Sequence, residues 1–280
     1  MLVREWQSME TEVRYHMCRP AQARARREQC PVAYIPIGTI EWHGPQNPLG
    51  ADSLQAEGLA LLCAERGGGL VFPPLYYGES RSESLMEANA EDREDIAFAM
   101  GLPPENFRAD RQPFSPTEQV MGYQRLLLHI LAEVETLGFA VGVLVAGHYP
   151  LIDHARSAVL LFNQRHFSRH HGMLAWACVD YLLVRDRYPD SGDHAAGWET
   201  SHLLALHPRT VDLASLPPRG EPMPGIMMGT MAPHDATAEF GRKTLEAAAE
   251  AVLREVNHRL AHRELYRQHG ASLQENLWKG

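Results

Sequence analysis

Four short apolar runs constrain this chain more than any other feature. Residues 31–38 (PVAYIPIG), 70–73 (LVFP), 139–146 (FAVGVLVA) and 173–179 (MLAWACV) are β-rich and carry no charge. Such runs read as buried strands. Around them lie segments with apolar residues at helical spacing: 51–66, closed by Gly67 to Gly69, then 118–137, 151–169, 199–206 and a long amphipathic one over 237–265. Strands alternating with helices of this size imply βαβ units. The expected fold is α/β, with a mostly parallel sheet covered on both faces. In such sheets ligands bind beyond the carboxyl ends of the strands.

The chain has 280 residues, 45% of them hydrophobic, which is enough for a large core. No low-complexity linker divides it, so one domain is expected over 1–280. Residues 79–117 form its odd segment. They are polar and acidic, interrupted by Pro103, Pro104, Pro113 and Pro116, and read as a long inserted loop that serves as a lid or pocket wall. Its acids, among them Glu83, Glu87, Glu91 and Asp92, form a solvated face or select a cationic substrate. Segment 180–197 reads as mostly irregular.

A formal net charge of -9 argues against nucleic-acid and anionic-membrane partners. The arginines between Arg19 and Arg27 fit a solvated helix that begins after Pro20. No apolar run approaches the roughly 20 residues needed to span a bilayer. The N-terminus carries acids and arginines where a signal peptide needs an apolar stretch, so a cytoplasmic location is expected. Cys18, Cys30, Cys63 and Cys178 are scattered and form no CxxC pair, which suggests neither a zinc knuckle nor a disulfide framework.

The chemistry gathers at the strand ends. Glu41 and His43, after the first strand, are two apart, so in an extended segment their side chains leave one face. Asp52 opens the next helix, where an anion is favoured. This mixed oxygen and nitrogen set suits Zn²⁺, Mn²⁺ or Fe²⁺ better than Ca²⁺ or Mg²⁺. His148 follows the third strand after Gly147; a backbone hydrogen bond at the strand end is its plainer role. The third cluster is His194-Ala-Ala-Gly-Trp-Glu199-Thr-Ser201. Thr200, Ser201 and Glu199 there could simply cap a helix; alternatively His194 moves protons and Glu199 binds or orients a metal.

IPIGTIEWHGPQNPLGAD (35–52) closely resembles the signature of the creatininase, or creatinine amidohydrolase, family. AGHYPL (146–151) is similar to that family's strand-end NGH motif, HAAGWETS (194–201) to its H-x-G-x-x-ETS motif, and APHDATAEFGRKTLEAA (232–248) to its C-terminal element. The resemblance implies a three-layer α/β/α domain, a hexameric homo-oligomer and one or two divalent ions, zinc ahead of manganese or iron. By position it assigns Glu41, His43, Asp52 and His148 as ligands, with Asp52 bridging. It also makes His194 the acid/base, places Glu199 beside the centre as a further ligand, and sets Tyr149 to stack on a bound ring. Trp198 is a second stacking candidate, with a core role as its alternative.

The departures matter. The family's further ligand two residues after the NGH histidine is Pro150, and its Asn is Ala146. Its H-x-FPGT segment is not recognisable, and 79–117 stands in its place. Its substrate-closing tryptophan becomes Val179, before Asp180. The expected activity is hydrolysis of an amide or cyclic amide C–N bond of a small molecule other than creatinine. Metal-activated water attacks and His194 protonates the leaving nitrogen. A formamide deformylase or peptide-trimming hydrolase is an alternative, and Arg81, Arg108 and Arg111 could serve a phosphorylated substrate. A metal-binding scaffold without catalysis is another.

Overall fold

The computed structural model describes residues 12–78, 93–107, 113–165, 172–223, 225 and 227–266. The four apolar runs become strands β1 (Val32–Ile37), β2 (Leu70–Val71), β3 (Val141–Ala146) and β4 (Leu174–Val179). They form one sheet in the order β2-β1-β3-β4, with every neighbouring pair parallel. Val32 pairs with Val141 and Val141 with Leu174, so the three long strands run in step and their carboxyl ends form one rim.

Period-two alternation explains why these strands are apolar throughout. Val32 and Tyr34, Val141, Val143 and Val145, and Cys178 enter one core; Ala33, Ile35 and Ile37, Leu144 and Ala146, and Ala175, Ala177 and Val179 enter the other. The first core is closed by helices α2 (Ala51–Gly67), α7 (Gly197–Leu206) and α8 (Ala238–Ala261). The second is closed by α4 (Pro116–Thr136) and α5 (Leu151–Arg165). The layers are thus α/β/α, as expected. Helix α1 (Pro20–Gln29) starts at Pro20 and buries no residue, in keeping with a solvated arginine-rich helix.

Several boundaries differ from expectation. The 180–197 segment opens with a short helix, α6 (Asp180–Val184), and α7 begins at Gly197, two residues early. Helix α8 ends at Ala261, and a separate 3₁₀ turn covers Arg263–Tyr266. The expected continuation of α5 to 169 lies outside the described residues.

Nor is 79–117 loop throughout. It contains α3 (Arg93–Ala99) and a 3₁₀ turn at Pro104–Phe107, and its last residues start α4. Ser115 caps α4 reciprocally with Glu118 ahead of Pro116, a start signal that sits inside the proline-rich run. Ile96 and Ala97 of α3 bury against Trp42, so the insertion packs on the segment that carries Glu41 and His43. Glu83, Glu87, Glu91, Asp92, Arg81, Arg108 and Arg111 lie outside the described residues. Among the described residues no helix is long and apolar enough to cross a membrane.

Two glycines let α2 reach the rim. Gly38 and Gly147 end β1 and β3, and the Gly147 N–H donates to Ile37 O at 2.9 Å. A Cβ on Gly147 would lie 2.0 Å from the Asp52 carbonyl oxygen; one on Gly38 would lie 2.4 Å from the Ser53 nitrogen. The first turn of α2 therefore sits directly on bare backbone, and Asp52 enters the rim between the two strands.

Candidate metal centre

Four segments deliver the rim's side chains. The 38–50 loop brings Glu41 and His43, the first turn of α2 brings Asp52, the β3 end brings His148, and α7 with its approach brings His194 and Glu199. Glu41, His43, Asp52, His148 and Glu199 are all buried. The Glu41 N–H donates to Leu49 O, which closes the loop behind its side chain.

Two sets of three ligand atoms emerge, each within 4.8 Å: Glu41, Asp52 and His148, and His43, Asp52 and Glu199. Asp52 belongs to both. Its Oδ2 is 3.2 Å from His148 Nδ1, and its Oδ1 is 3.0 Å from His43 Nε2. Glu41 Oε2 is 2.9 Å from His148 Nδ1, and Glu199 Oε2 is 3.7 Å from His43 Nε2. Neighbouring ligands on one ion with bonds of about 2.1 Å lie roughly 3 to 3.5 Å apart, so the Glu41 set is close to that spacing and the His43 set needs only a small approach of Glu199. His43 Nδ1 lies 3.1 Å from the Glu41 carbonyl oxygen. Donation there fixes the tautomer and leaves the Nε2 lone pair facing the carboxylates. A third set joins His194 to Glu41 and His43.

The electrostatics fit a cation. Burial works against a charged His43, but Asp52, Glu199 and Glu41 outweigh it and push its pKa up to about 10. His148 is also raised well above its ordinary value, by Asp52 and Glu41 against the effect of burial. Burial would raise Asp52, yet the two histidines hold it below the usual carboxylate range. Burial pushes Glu199 up to about 8. Without an ion, raised imidazole pKa values let protons balance the carboxylates; a divalent ion would take their place.

His194 differs. Burial and the neighbouring His43 lower it to about 4, so its imidazole is neutral. Its ring lies 4.7 Å from that of His43, and its Nε2 is buried with no hydrogen-bond partner. The next residue, Ala195, has φ 56, the positive-φ non-glycine residue among those described. Its N–H donates to Glu199 Oε2 at 2.8 Å. A β-carbon in this region costs of order 1 kcal/mol, and here the strained backbone aims a donor at the Glu199 carboxylate of the cluster.

Sequence reasoning missed the supports. Asp193 accepts from the N–H groups of Trp198 and Glu199 at 2.5 and 3.1 Å, anchoring the start of α7 that carries Glu199. Gln46 Nε2 donates to Ala195 O at 2.7 Å, and Asn47 Nδ2 to Thr200 Oγ1 at 3.0 Å. Asp193 stands just ahead of a helix start, the one local signal available; Gln46 and Asn47 act across about 150 residues of chain.

A cleft of about 400 Å³ opens on the centre, lined by Glu41, Asp52, His148, His194 and Glu199 below and by Tyr149, Pro150, Tyr181 and Arg185 further out. Tyr149 is 67% exposed there, stacked on Tyr181 with centroids 6.2 Å apart. Trp198 is only 4% exposed, and its Nε1–H donates to Asp180 Oδ2 at 2.9 Å. Its ring packs on Tyr188, His202 and Phe240, beneath the site rather than along the cleft.

This is a layered α/β domain with a metal-type ligand cluster on its sheet rim. The chain belongs to the creatininase (creatinine amidohydrolase) family, whose model matches residues 16–256. The fold is similar to that of a creatinine amidohydrolase crystal structure, at 20% identity and TM-score 0.65 over 89% of this chain and 98% of that one. A manganese form of creatininase matches at 21% identity and TM-score 0.65, with the same coverage. A zinc–zinc form of a creatininase variant also matches. A 3-dehydro-scyllo-inosose hydrolase of Thermotoga maritima is 39% identical over 57 residues, 20% of this chain and only 18% of that protein.

Proposed function

We propose that this chain is a two-metal hydrolase of an amide or cyclic amide C–N bond in a small molecule other than creatinine. The observation that carries the proposal is the pair of buried ligand sets joined by Asp52. His43, Asp52 and Glu199 would hold one ion, and Glu41, Asp52 and His148 the other. Pro150 removes the ligand the family keeps there, so the second set has three protein groups rather than four. Two divalent ions so held supply a water of lowered pKa and polarise the carbonyl under attack. Zinc is the first choice and manganese the second.

The chain's own residues do the rest. His43 stays oriented through its Nδ1 and the Glu41 carbonyl. The neutral His194, its Nε2 unpaired, accepts a proton from the attacking water and returns it to the leaving nitrogen, so carboxylic acid and amine are the products. That free nitrogen favours catalysis over a purely structural metal site, where an unpaired buried imidazole serves no purpose. Tyr149 forms the exposed cleft wall against a planar substrate, and Trp198 supports the floor. A cytoplasmic homo-oligomer with a single domain over 1–280 completes the proposal.

The test is to measure bound zinc per chain and turnover on matched lactams, formamides and short peptides, with a cyclic ketone included. Two ions per chain and turnover of one amide class support the proposal. Loss of zinc binding in Asp52→Ala is expected. No turnover on the whole panel by fully loaded protein would refute the assignment.

A further inference from the structure

The metal centre accounts for every charged group on the cleft wall except one. Glu41, Asp52, His148, His194 and Glu199 form the cluster, and Asp193 is engaged by the backbone of α7. Arg185 remains. It is exposed, caps the end of α6, and has no ion-pair partner among the described residues. What sets it apart is its place on the cleft wall. Arg14, Arg66, Arg219 and Arg259 each reach a carboxylate, whereas Arg185 faces the cleft in a protein of 35 acids against 26 bases.

Its surroundings hold it at the cleft. Tyr181 lies one helical turn before Arg185, so both face the same side. Tyr181 cannot swing away: its ring stacks on Tyr149, and Gly192 approaches so closely that a Cβ there would lie 2.6 Å from Tyr181 Cγ. Ser191 Oγ donates to Tyr181 O at 2.8 Å. The Tyr181 hydroxyl is itself buried with no hydrogen-bond partner. The outer cleft thus offers an aromatic wall, one unspent hydroxyl and one unspent guanidinium.

We propose that Arg185 and the Tyr149–Tyr181 wall form an anion subsite, so that the natural substrate carries a carboxylate remote from the bond that is cleaved. A guanidinium fork matches a carboxylate in two parallel hydrogen bonds, and one fork without a second cation suits a monoanion. Ions held by the buried cluster would draw the scissile carbonyl inward, which would leave the substrate's far end toward Arg185. This inference rests on the hydrolase assignment and concerns the outer half of the same cleft.

Inhibitor binding tests it without the substrate. Zinc-loaded protein is titrated with acetohydroxamate and with the monohydroxamates of malonate, succinate and glutarate, whose carboxylate arms span increasing reach. One arm length should bind about 5- to 50-fold tighter than acetohydroxamate, and raising the salt should shrink that gain. In Arg185→Gln the gain should vanish while acetohydroxamate binds unchanged. If no hydroxamate binds the loaded protein, the metal-site assignment itself falls. If all bind, but no arm gives a gain, the anion subsite is wrong. If the gain survives in Arg185→Gln, another group supplies it and the assignment to Arg185 is overturned.

Discussion

Gly147→Ala tests how the centre is built, because it changes no ligand. The added Cβ would lie 2.0 Å from the Asp52 carbonyl oxygen. A carbon–oxygen contact settles near about 3.3 Å, so the end of β3 and the first turn of α2 must part by roughly 1.3 Å. The Cβ is fixed by the backbone and its contact is a backbone oxygen, so no side-chain rotation relieves the clash. Overpacking of this kind costs about 1 to 3 kcal/mol of stability. The effect on the ion should be larger. Asp52 serves both ligand sets, His148 follows Gly147 directly, and a site needs its groups held within about 0.5 Å. Zinc affinity, measured by competition with a chromophoric chelator, should fall by about 100-fold or more. Gly122→Ala is the control: a Cβ at this exposed helical glycine meets nothing within 4 Å. It should stabilise α4 by about 0.5 to 1 kcal/mol and leave zinc affinity unchanged. If Gly147→Ala melts lower but binds zinc within threefold of the parent, close backbone approach is not what positions Asp52.

The other expectations are more local. His194→Gln should keep both ions by elemental analysis while turnover on the true substrate drops about 10²- to 10⁴-fold; loss of metal instead would make His194 a ligand. Trp198→Phe leaves the half-buried Asp180 carboxylate without its indole donor, and should lower stability by about 1 to 2 kcal/mol with KM within twofold. Tyr149→Leu should do the reverse, raising KM about 3- to 10-fold at unchanged melting temperature. His202 is buried and its pKa is lowered by desolvation, with Asp180 offsetting only part of the effect. The unfolded chain takes up that proton near pH 6.5 and the folded chain does not, so this contribution is complete above about pH 6.5 and is lost as the pH falls below it. Urea midpoints between pH 5 and 8 should decline less steeply on the acid side in His202→Gln than in the parent.

Much of this molecule was legible in the sequence, for specific reasons. The strands were readable because a parallel sheet covered on both faces leaves no polar position within a strand, as Val32 to Ile37 and Val141 to Ala146 illustrate. The rim cluster was readable because strand ends are where such sheets place chemistry, and because Glu41, His43 and Asp52 lie within twelve residues. The supports were not. Gln46 reaches Ala195, Asn47 reaches Thr200, and Gln55 meets His202 at 3.2 Å, and no local pattern records pairings across about 150 residues. Helix α3 escaped because it is only seven residues long, too short for a helical period to show; it packs through Ile96 and Ala97 onto Trp42. Trp198 was ambiguous in sequence because an indole suits a cleft and a core equally; its hydrogen bond to Asp180 ties it to the interior.

Pro150 raises the question of how a second ion could persist without the ligand found there in creatininase. The answer lies in how the charges are distributed. Asp52 gives one oxygen to each set, so neither ion depends on a private carboxylate alone. The His43 set draws its third group, Glu199, from α7 rather than from the end of β3 that precedes Pro150. The loss therefore falls on the Glu41 set, which retains two carboxylates and an imidazole, a complement able to hold zinc with an open position. An open position is what a hydrolase needs for water or a substrate carbonyl, and a site closed by four protein ligands lacks it. Proline at 150 would weaken the hold on one ion and leave the Glu41 set open to the cleft that Tyr149 and Arg185 also line. Departure from the family pattern at this residue thus argues for a different substrate more than for a lost activity.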